Sequence, residues 1–188
     1  MVAYEFPIEG GAISQNRGYE MLSALSKVAP FIHGRSDVQI APVGGFRLNS
    51  GKIIPQGHSR LHIRGLTPEE AMSLAGKSIT LEGTLLNLGG VTPRELIGTP
   101  RLASRIVLFN GIIDQVAFIT ELSKIVRGIT LGKVKIEVGR CRALKIQGVN
   151  LLGYSVELQG LSPEASLKIQ GSGIGHGTSM GCGVFRSY

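Results

Sequence analysis

Tryptophan is absent from this chain of 188 residues, and aromatic side chains make up only 5% of it, so a broad platform for stacking bases is not on offer. Cysteine occurs twice, at Cys141 and Cys182. With no CxxC pair and no histidine pair at zinc spacing, a disulfide framework and a structural zinc site are excluded, and both thiols read as packed. No apolar run approaches the roughly 20 residues that cross a bilayer. Met1-Val-Ala-Tyr-Glu-Phe-Pro-Ile-Glu9 has neither the basic start nor the apolar stretch of an export signal. There is no low-complexity tract and no long block of like charge. The expectation is a folded cytoplasmic protein without membrane contact.

Positive charge and glycine are plentiful instead. A formal net charge of +7 favours an acidic partner, and nucleic acid is the commonest one, although bulk charge alone gives only weak, sequence-blind binding. Six glycines fall within the last eighteen residues, in Gly171-Ser-Gly-Ile-Gly-His-Gly-Thr-Ser-Met-Gly-Cys-Gly-Val-Phe-Arg-Ser-Tyr188. Glycine has no Cβ and tolerates positive φ, so this loop is expected to bring naked N–H groups close to a polyanion, with Gly173, Gly175, His176 and Ser179 as contacts. It is not a dinucleotide turn, because it lacks GxGxxG and no long helix follows to aim a dipole at a pyrophosphate. Gly76-Lys77-Ser78 resembles the end of a Walker motif, but there the lysine follows a helix instead of opening one, and Gly76 reads as a helix C-cap.

The chain repeats itself. Gly65-Leu-Thr-Pro-Glu-Glu-Ala71 and Gly160-Leu-Ser-Pro-Glu-Ala165 are almost one phrase, and each opens a helix: Thr67 or Ser162 as N-cap, proline at the first helical position, glutamate by the positive dipole end. Alternating strands precede both, with Leu61 and Ile63 between Arg60, His62 and Arg64, and with Leu152, Tyr154, Val156 and Leu158. Upstream, Tyr4, Phe6 and Ile8 form a strand before a helix of about fourteen residues that carries Met21, Ala24, Leu25 and Val28 on one face. Leu102 to Phe109 forms a strand before a helix from Asp114, with Val116, Ile119, Leu122 and Ile125 or Val126 facing inward. Strands Val38 to Pro42 and Val134 to Val138 or Leu144 complete the pattern. The order β-α-β-β-α-β, twice, predicts an α+β fold of tandem ferredoxin-like, RRM-like units with a C-terminal glycine-rich loop. The halves are residues 1–90 and 91–188, with a hinge near Gly89-Gly90-Val-Thr-Pro93.

Besides the glycine-rich loop, candidate site residues gather in three places. His33 follows the first helix, beside Arg35; it is either a surface histidine favoured by the helix dipole or an imidazole placed for proton transfer. His58, Arg60, His62 and Arg64 lie at or on one strand, and their row is either a solvated sheet face or a phosphate-binding stripe. Lys133, Lys135, Arg140, Arg142 and Lys145 occupy two strands and their connection. Edge lysines discourage aggregation, but this cluster is denser than that purpose requires, which points to RNA backbone contact.

These features resemble a family. Tandem ferredoxin-like halves ending in a glycine-rich loop are similar to the RAMP superfamily, and the text resembles its CRISPR precursor-RNA processing endoribonucleases of the MYXAN-subtype branch. The likeness is carried by Gly18-Tyr-Glu-Met-Leu-Ser-Ala-Leu-Ser26 running on to His33, by Ser59-Arg-Leu-His-Ile-Arg64, by Leu74-Ala-Gly-Lys-Ser78, and by Gly173-Ile-Gly175 with Met180-Gly-Cys-Gly-Val-Phe185. The chain departs from the pattern at His176-Gly-Thr-Ser179, where relatives carry more lysine or arginine. The resemblance implies a metal-independent, cofactor-free endoribonuclease that binds a CRISPR repeat hairpin and cuts near its 3′ base. It also implies that the protein stays with the guide RNA and joins the subunits of an interference complex. His33 matches the family's acid/base position. A non-catalytic RNA-binding subunit of the same superfamily, or a basic scaffold for protein partners, would share much of this pattern and would differ in cleaving no RNA or in binding none.

Overall fold

The computed structural model describes residues 1–14, 17–146 and 149–187, with only the backbone of Lys145. Strand β1 (Val2–Gly10) alternates as its sequence demands, with Tyr4, Phe6 and Ile8 buried. It is followed by β2 (Ile13–Ser14), α1 (Gly18–Val28), a 3-10 turn at Pro30–Ile32, β3 (Gln39–Ile40), β4 (Phe46–Arg47), β5 (Lys52–Ile54), β6 (Arg60–Arg64) and α2 (Pro68–Leu74). The chain continues through β7 (Ser78–Leu81), β8 (Thr84–Leu88), β9 (Thr92–Glu95), β10 (Arg101–Val107), α3 (Gln115–Ile129), β11 (Lys135–Ile146), β12 (Val149–Gln159), α4 (Pro163–Ser172) and a 3-10 turn at Thr178–Met180.

The N-terminal sheet runs β3-β6-β1-β8-β7. Its first four strands have the ferredoxin order, and β7 is added as the hairpin partner of β8. The C-terminal sheet runs β10-β12-β11. The fourth position beside β10 shrinks to one antiparallel bridge, Ala103 with Arg186, whose N–H groups each donate to the other's carbonyl at 2.9 Å. The fold is therefore the expected tandem, with a full second sheet missing one strand's length. A small sheet, β2-β5-β4, joins β2, which precedes α1, to β4 and β5 from the connection between β3 and β6. The N-terminal sheet extends beyond the glycine pair at 89 and 90, because β9 pairs with β1 from Val2↔Glu95 to Glu5↔Thr92.

The repeated phrase acts as its chemistry requires. The Thr67 hydroxyl accepts from the Glu70 N–H while the Glu70 carboxylate accepts from the Thr67 N–H, a reciprocal cap on α2; Ser162 accepts from Ala165 N–H on α4. Asp114 caps α3 through the Ala117 N–H at 2.8 Å.

The phase of α3 differs from expectation. Phe118, Leu122 and Val126 face the core, whereas Val116 and Ile119 are exposed. The helix carries two apolar stripes, and the one holding Phe118 wins. Its ring packs at a tilt between Phe109 and Tyr154 at centroid distances of 5.2 and 4.7 Å, and burying a phenylalanine is worth about 1.5–3 kcal/mol. Cys182 is buried, and desolvation pushes its thiol up to about 12. Cys141, expected to pack, is exposed where β12 parts from β10.

Two cores result. One packs β1, β6 and α1 around Phe6, Leu25 and Leu61; the other packs α3, α4 and β12 around Phe118, Leu158 and Phe185. Among the described residues no helix is long and apolar enough to cross a membrane.

Candidate functional site

Helix α1 buries Met21, Ala24 and Leu25. This turns Tyr19, Ser23, Ser26 and Lys27 to its other side, where spacings of three, four and seven residues place them along one stripe. The chain leaves α1 through Pro30, and the 3-10 turn returns His33 to that stripe. Tyr19, Leu22, Ser23, Ser26, Lys27, Pro30 and His33 together line an open depression of about 460 Å³. His33 is exposed, and its N–H donates to the Pro30 carbonyl at 3.1 Å. The Ser26 hydroxyl is buried with no hydrogen-bond partner among the described residues. An imidazole, a phenol, an ammonium and hydroxyls around one concave surface can move protons and neutralise an anion.

This depression is held in place from behind. The Arg35 guanidinium forks onto Asp37, with Nε donating at 3.0 Å and Nη2 at 2.6 Å, while Nη1 donates to both Glu70 oxygens at 2.8 and 2.9 Å and Nη2 also reaches the Gly65 carbonyl. These partners, Asp37 foremost and then Glu70, raise its pKa above the usual arginine value. Arg35 was expected to contact RNA; its donors are instead committed to tying the His33 loop to the start of α2. Lys77 donates to the Val28 carbonyl at 2.7 Å and closes the end of α1.

The Arg60, His62 and Arg64 row is neither of the two things its alternation allowed. At His62 and Arg64 it is a seam between the halves, beside an open pocket of about 220 Å³ that Glu5, Arg94 and Arg186 also line. Arg64 is buried, and donates to the carbonyls of Gln170 at 2.6 Å and Phe185 at 2.9 Å. As an RNA contact it is corrected to an internal clamp, and burial, followed by the Arg186 charge, lowers it to about 10. His62 Nε2 lies 3.0 Å from Arg186 Nη2, and its Nδ1 lies 3.3 Å from Glu5. A guanidinium can only donate, so the imidazole is neutral, accepting from Arg186 and donating to Glu5. Burial first, then the charges of Arg186, Arg64 and Arg60 against that of Glu5, push His62 down to about 4. Arg60 donates to the carbonyls of Gly57 and Ser59 at 2.8 and 2.9 Å. His58 alone of this group is exposed.

The glycine-rich loop also turns inward. Gly173 is buried, with φ 69°, and its N–H caps α4 at the Ile169 carbonyl. The N–H groups of His176, Cys182 and Gly183 donate to the carbonyls of Leu108, Gly177 and Ile106. The expectation of naked donors thus fails for Gly173, because the close approach that glycine permits is spent on the protein's own backbone. A Cβ on Gly18 would stand 1.7 Å from the Met180 carbonyl oxygen, so the loop seats directly against the start of α1. Gly175, with φ 88°, and His176 remain exposed, and Ser179 is half-buried. The His176 ring accepts from the Asn110 N–H at 3.3 Å.

On the hairpin, Lys133, Lys135 and Arg140 are exposed, and Lys135 pairs with Glu137. Arg142 is half-buried. Lys145 pairs with Asn150 in the ladder, and its side chain lies outside the described residues. Tyr19, Ser26 and Lys27 went unnoticed in the sequence; their spacing on α1 was the available signal, overshadowed by the apolar stripe opposite.

A family model described as Cas6 Crispr matches residues 2–188. A CRISPR-associated endonuclease Cas6 from Myxococcus xanthus (strain DK1622) is 32% identical over 184 residues, covering 96% of this chain and 78% of that protein. Among solved structures, one described as a RAMP protein binding different RNA substrates superposes with a TM-score of 0.69 at 15% identity, covering 99% of both chains. A Cas6-related protein from Pyrococcus furiosus gives 0.67 at 15% identity, covering 98% of this chain and 97% of its own.

Proposed function

The chain belongs to the Cas6 family, and from that premise we propose that it is an endoribonuclease that binds CRISPR repeat hairpins and cuts precursor CRISPR RNA into guide RNA. One observation carries the choice of site: His33 meets Tyr19, Ser26 and Lys27 around a single open depression on α1. RNA brings its own nucleophile. With the 2′-hydroxyl beside the scissile phosphate aligned against the departing 5′-oxygen, the protein has only to move protons and steady the charged phosphorane. His33 handles the proton, Lys27 faces the developing charge, and the Tyr19 hydroxyl orients the phosphate. The reaction needs no metal and leaves a 2′,3′-cyclic phosphate or its opened form.

Two halves, residues 1–90 and 91–188, divide the work. The first carries the chemistry. The second grips RNA through Lys133, Lys135, Arg140, Arg142 and Lys145, with Gly175, His176 and Ser179 of the loop and His58 of the first half along its path. A-form RNA is read by shape and by unpaired bases near the hairpin's foot, since its major groove is too narrow for side chains. The enzyme acts in the cytoplasm, where its transcript lies, and stays with the guide RNA as that enters an effector complex. The test is incubation with the repeat RNA of its own locus in the presence of EDTA. Cleavage with a cyclic phosphate end supports the reading, and a 2′-deoxy nucleotide at the scissile position should bind and resist cutting. A 3′-hydroxyl product, or complete loss of activity on chelation, would contradict it.

A further inference from the structure

The β4–β5 ribbon, in the connection between β3 and β6, carries charge of one sign. From Val38 to Pro68 the sequence holds no aspartate or glutamate, while Arg47, Lys52, Arg60 and Arg64 fall within it. The ribbon turns at Asn49-Ser50-Gly51, where Gly51 takes φ 77° and its N–H donates to the Leu48 carbonyl at 3.0 Å. Phe46 lies opposite Ile54, and Arg47 opposite Ile53. Opposed residues share a face of the ladder, and successive ones alternate. Ile53 points into the N-terminal core. Phe46, Ile54 and Lys52 therefore belong to the outer face, where Phe46 is 57% exposed, Lys52 is exposed and Ile54 is half-buried. Arg47, on the edge strand, is exposed as well.

Single aliphatic side chains on a surface need no explanation. Phe46 differs in kind and in company. Among the described residues it is the one aromatic in the set of exposed large apolar side chains, and the other phenylalanines are buried or half-buried. Cations flank it along the strand and across the ladder, with no carboxylate on the ribbon to offset them. A nucleotide matches both features, since its base offers a π-face to the ring and its phosphates take the charge. The ribbon also adjoins the strands assigned above to the grip on RNA. Ile53 lines the same cavity as Arg105 of β10 and Arg142 of β11. Burial, then the charges of Arg142 and Arg47, lower Arg105 to about 10, so both of those cations stand near it.

We propose that the β4–β5 ribbon holds an unpaired nucleotide of the bound RNA, with its base stacked on Phe46 and its phosphates met by Lys52 and Arg47. The inference rests on the RNA-binding reading above and adds to it a place for the single strand outside the stem. One ring takes one base, in keeping with a chain too poor in aromatics for a stacking platform. Every base has a π-face, so the contact accepts any of the four and holds the strand without reading its sequence.

The experiment replaces each nucleotide of the repeat RNA in turn by an abasic one and measures affinity for the parent and for Phe46→Ala, whose Tm should match the parent's because the ring is exposed. In the parent, one unpaired position should lose about tenfold in affinity when its base is removed. Phe46→Ala should bind intact RNA about tenfold more weakly and lose nothing further at that position. Phe46→Tyr should restore the parental pattern. The salt dependence separates ring from charge: Phe46→Ala should leave the slope of log affinity against log salt unchanged, and Lys52→Ala should flatten it by about 0.7. If Phe46→Ala pays the parental penalty at every abasic position, or the coupling falls on a paired base, the site is overturned while the RNA reading stands. Parental affinity in Phe46→Ala, with a changed sedimentation of the free protein, would also overturn it and make the ring a contact between copies of the chain. If the parent binds no repeat RNA, that reading fails and the site falls with it.

Discussion

His33 and His62 lie in the same half of the molecule, each within a few residues of arginines, yet their surroundings are opposite. His33 sits at the lip of an open depression, with its neighbouring arginine turned away to hold the loop. His62 is half-buried between the halves, bonded on one side by Arg186 and on the other to Glu5, and is neutral there. The difference teaches that residue type does not assign a role. Exposure and the direction of the nearest charges do. An imidazole that must exchange protons with a substrate needs access, and one that links two sheets needs fixed partners.

If the seam is structural, its largest signature is Arg64→Ala. The carbonyls of Gln170 and Phe185 would lose their donor inside the protein, and the halves would lose a clamp. Stability should fall by about 3–5 kcal/mol, read by chemical denaturation. The next effect is on pH dependence. Because burial and neighbouring cations hold His62 below an ordinary 6.5, at about 4, the folded state resists protonation. Its contribution is complete above pH 6.5 and is lost progressively as pH falls towards 4, at most about 3 kcal/mol in all. His62→Gln should flatten that part of the stability curve. An unchanged curve would mean that the histidine is open to solvent after all.

On the side of the depression, Arg35→Ala removes the tie between the His33 loop and α2. We expect a stability loss of about 1–2 kcal/mol together with slower cleavage at nearly unchanged affinity, since the loop positions His33 and does not grip RNA. The smallest effect belongs to the outer hairpin. Arg140→Ala should weaken RNA binding modestly and reduce the salt slope by about 0.7 for a lost phosphate contact, without touching the rate of the chemical step.

How much of this was legible depends on how local the determining physics was. The caps at Thr67 and Ser162, and the start of a helix at Asp114, were legible because a hydroxyl or carboxylate and the N–H it satisfies lie within three residues. Tandem ferredoxin order followed from those helix starts and the alternating strands before them. The phase of α3 was not legible, because two apolar stripes compete and only the distant Phe109 and Tyr154 decide between them. Arg64 looked solvent-facing by alternation, since a strand does not announce that the other half of the chain will cover its polar face. The glycine loop misled for a related reason. A glycine that lets a ligand approach is indistinguishable in sequence from one that lets the chain's own carbonyl approach, as Met180 does at Gly18 and Leu108 at Gly175. His33 was singled out, while Tyr19, Ser26 and Lys27 became visible only when the turn after α1 brought them together.

The contrast between the two histidines reduces to one side-by-side assay: single-turnover cleavage of the repeat RNA by the parent, His33→Ala and His62→Ala, each at saturating protein. Loss of an acid/base group slows a reaction by ~10²–10⁴-fold, so His33→Ala should bind RNA like the parent, melt like the parent and cut at least about a hundredfold more slowly. His62→Ala should melt earlier and, below its melting point, cut at close to the parental rate. Parental cleavage by His33→Ala, with the loss appearing in folded His62→Ala instead, would move the chemistry from the depression on α1 to the seam and overturn the assignment.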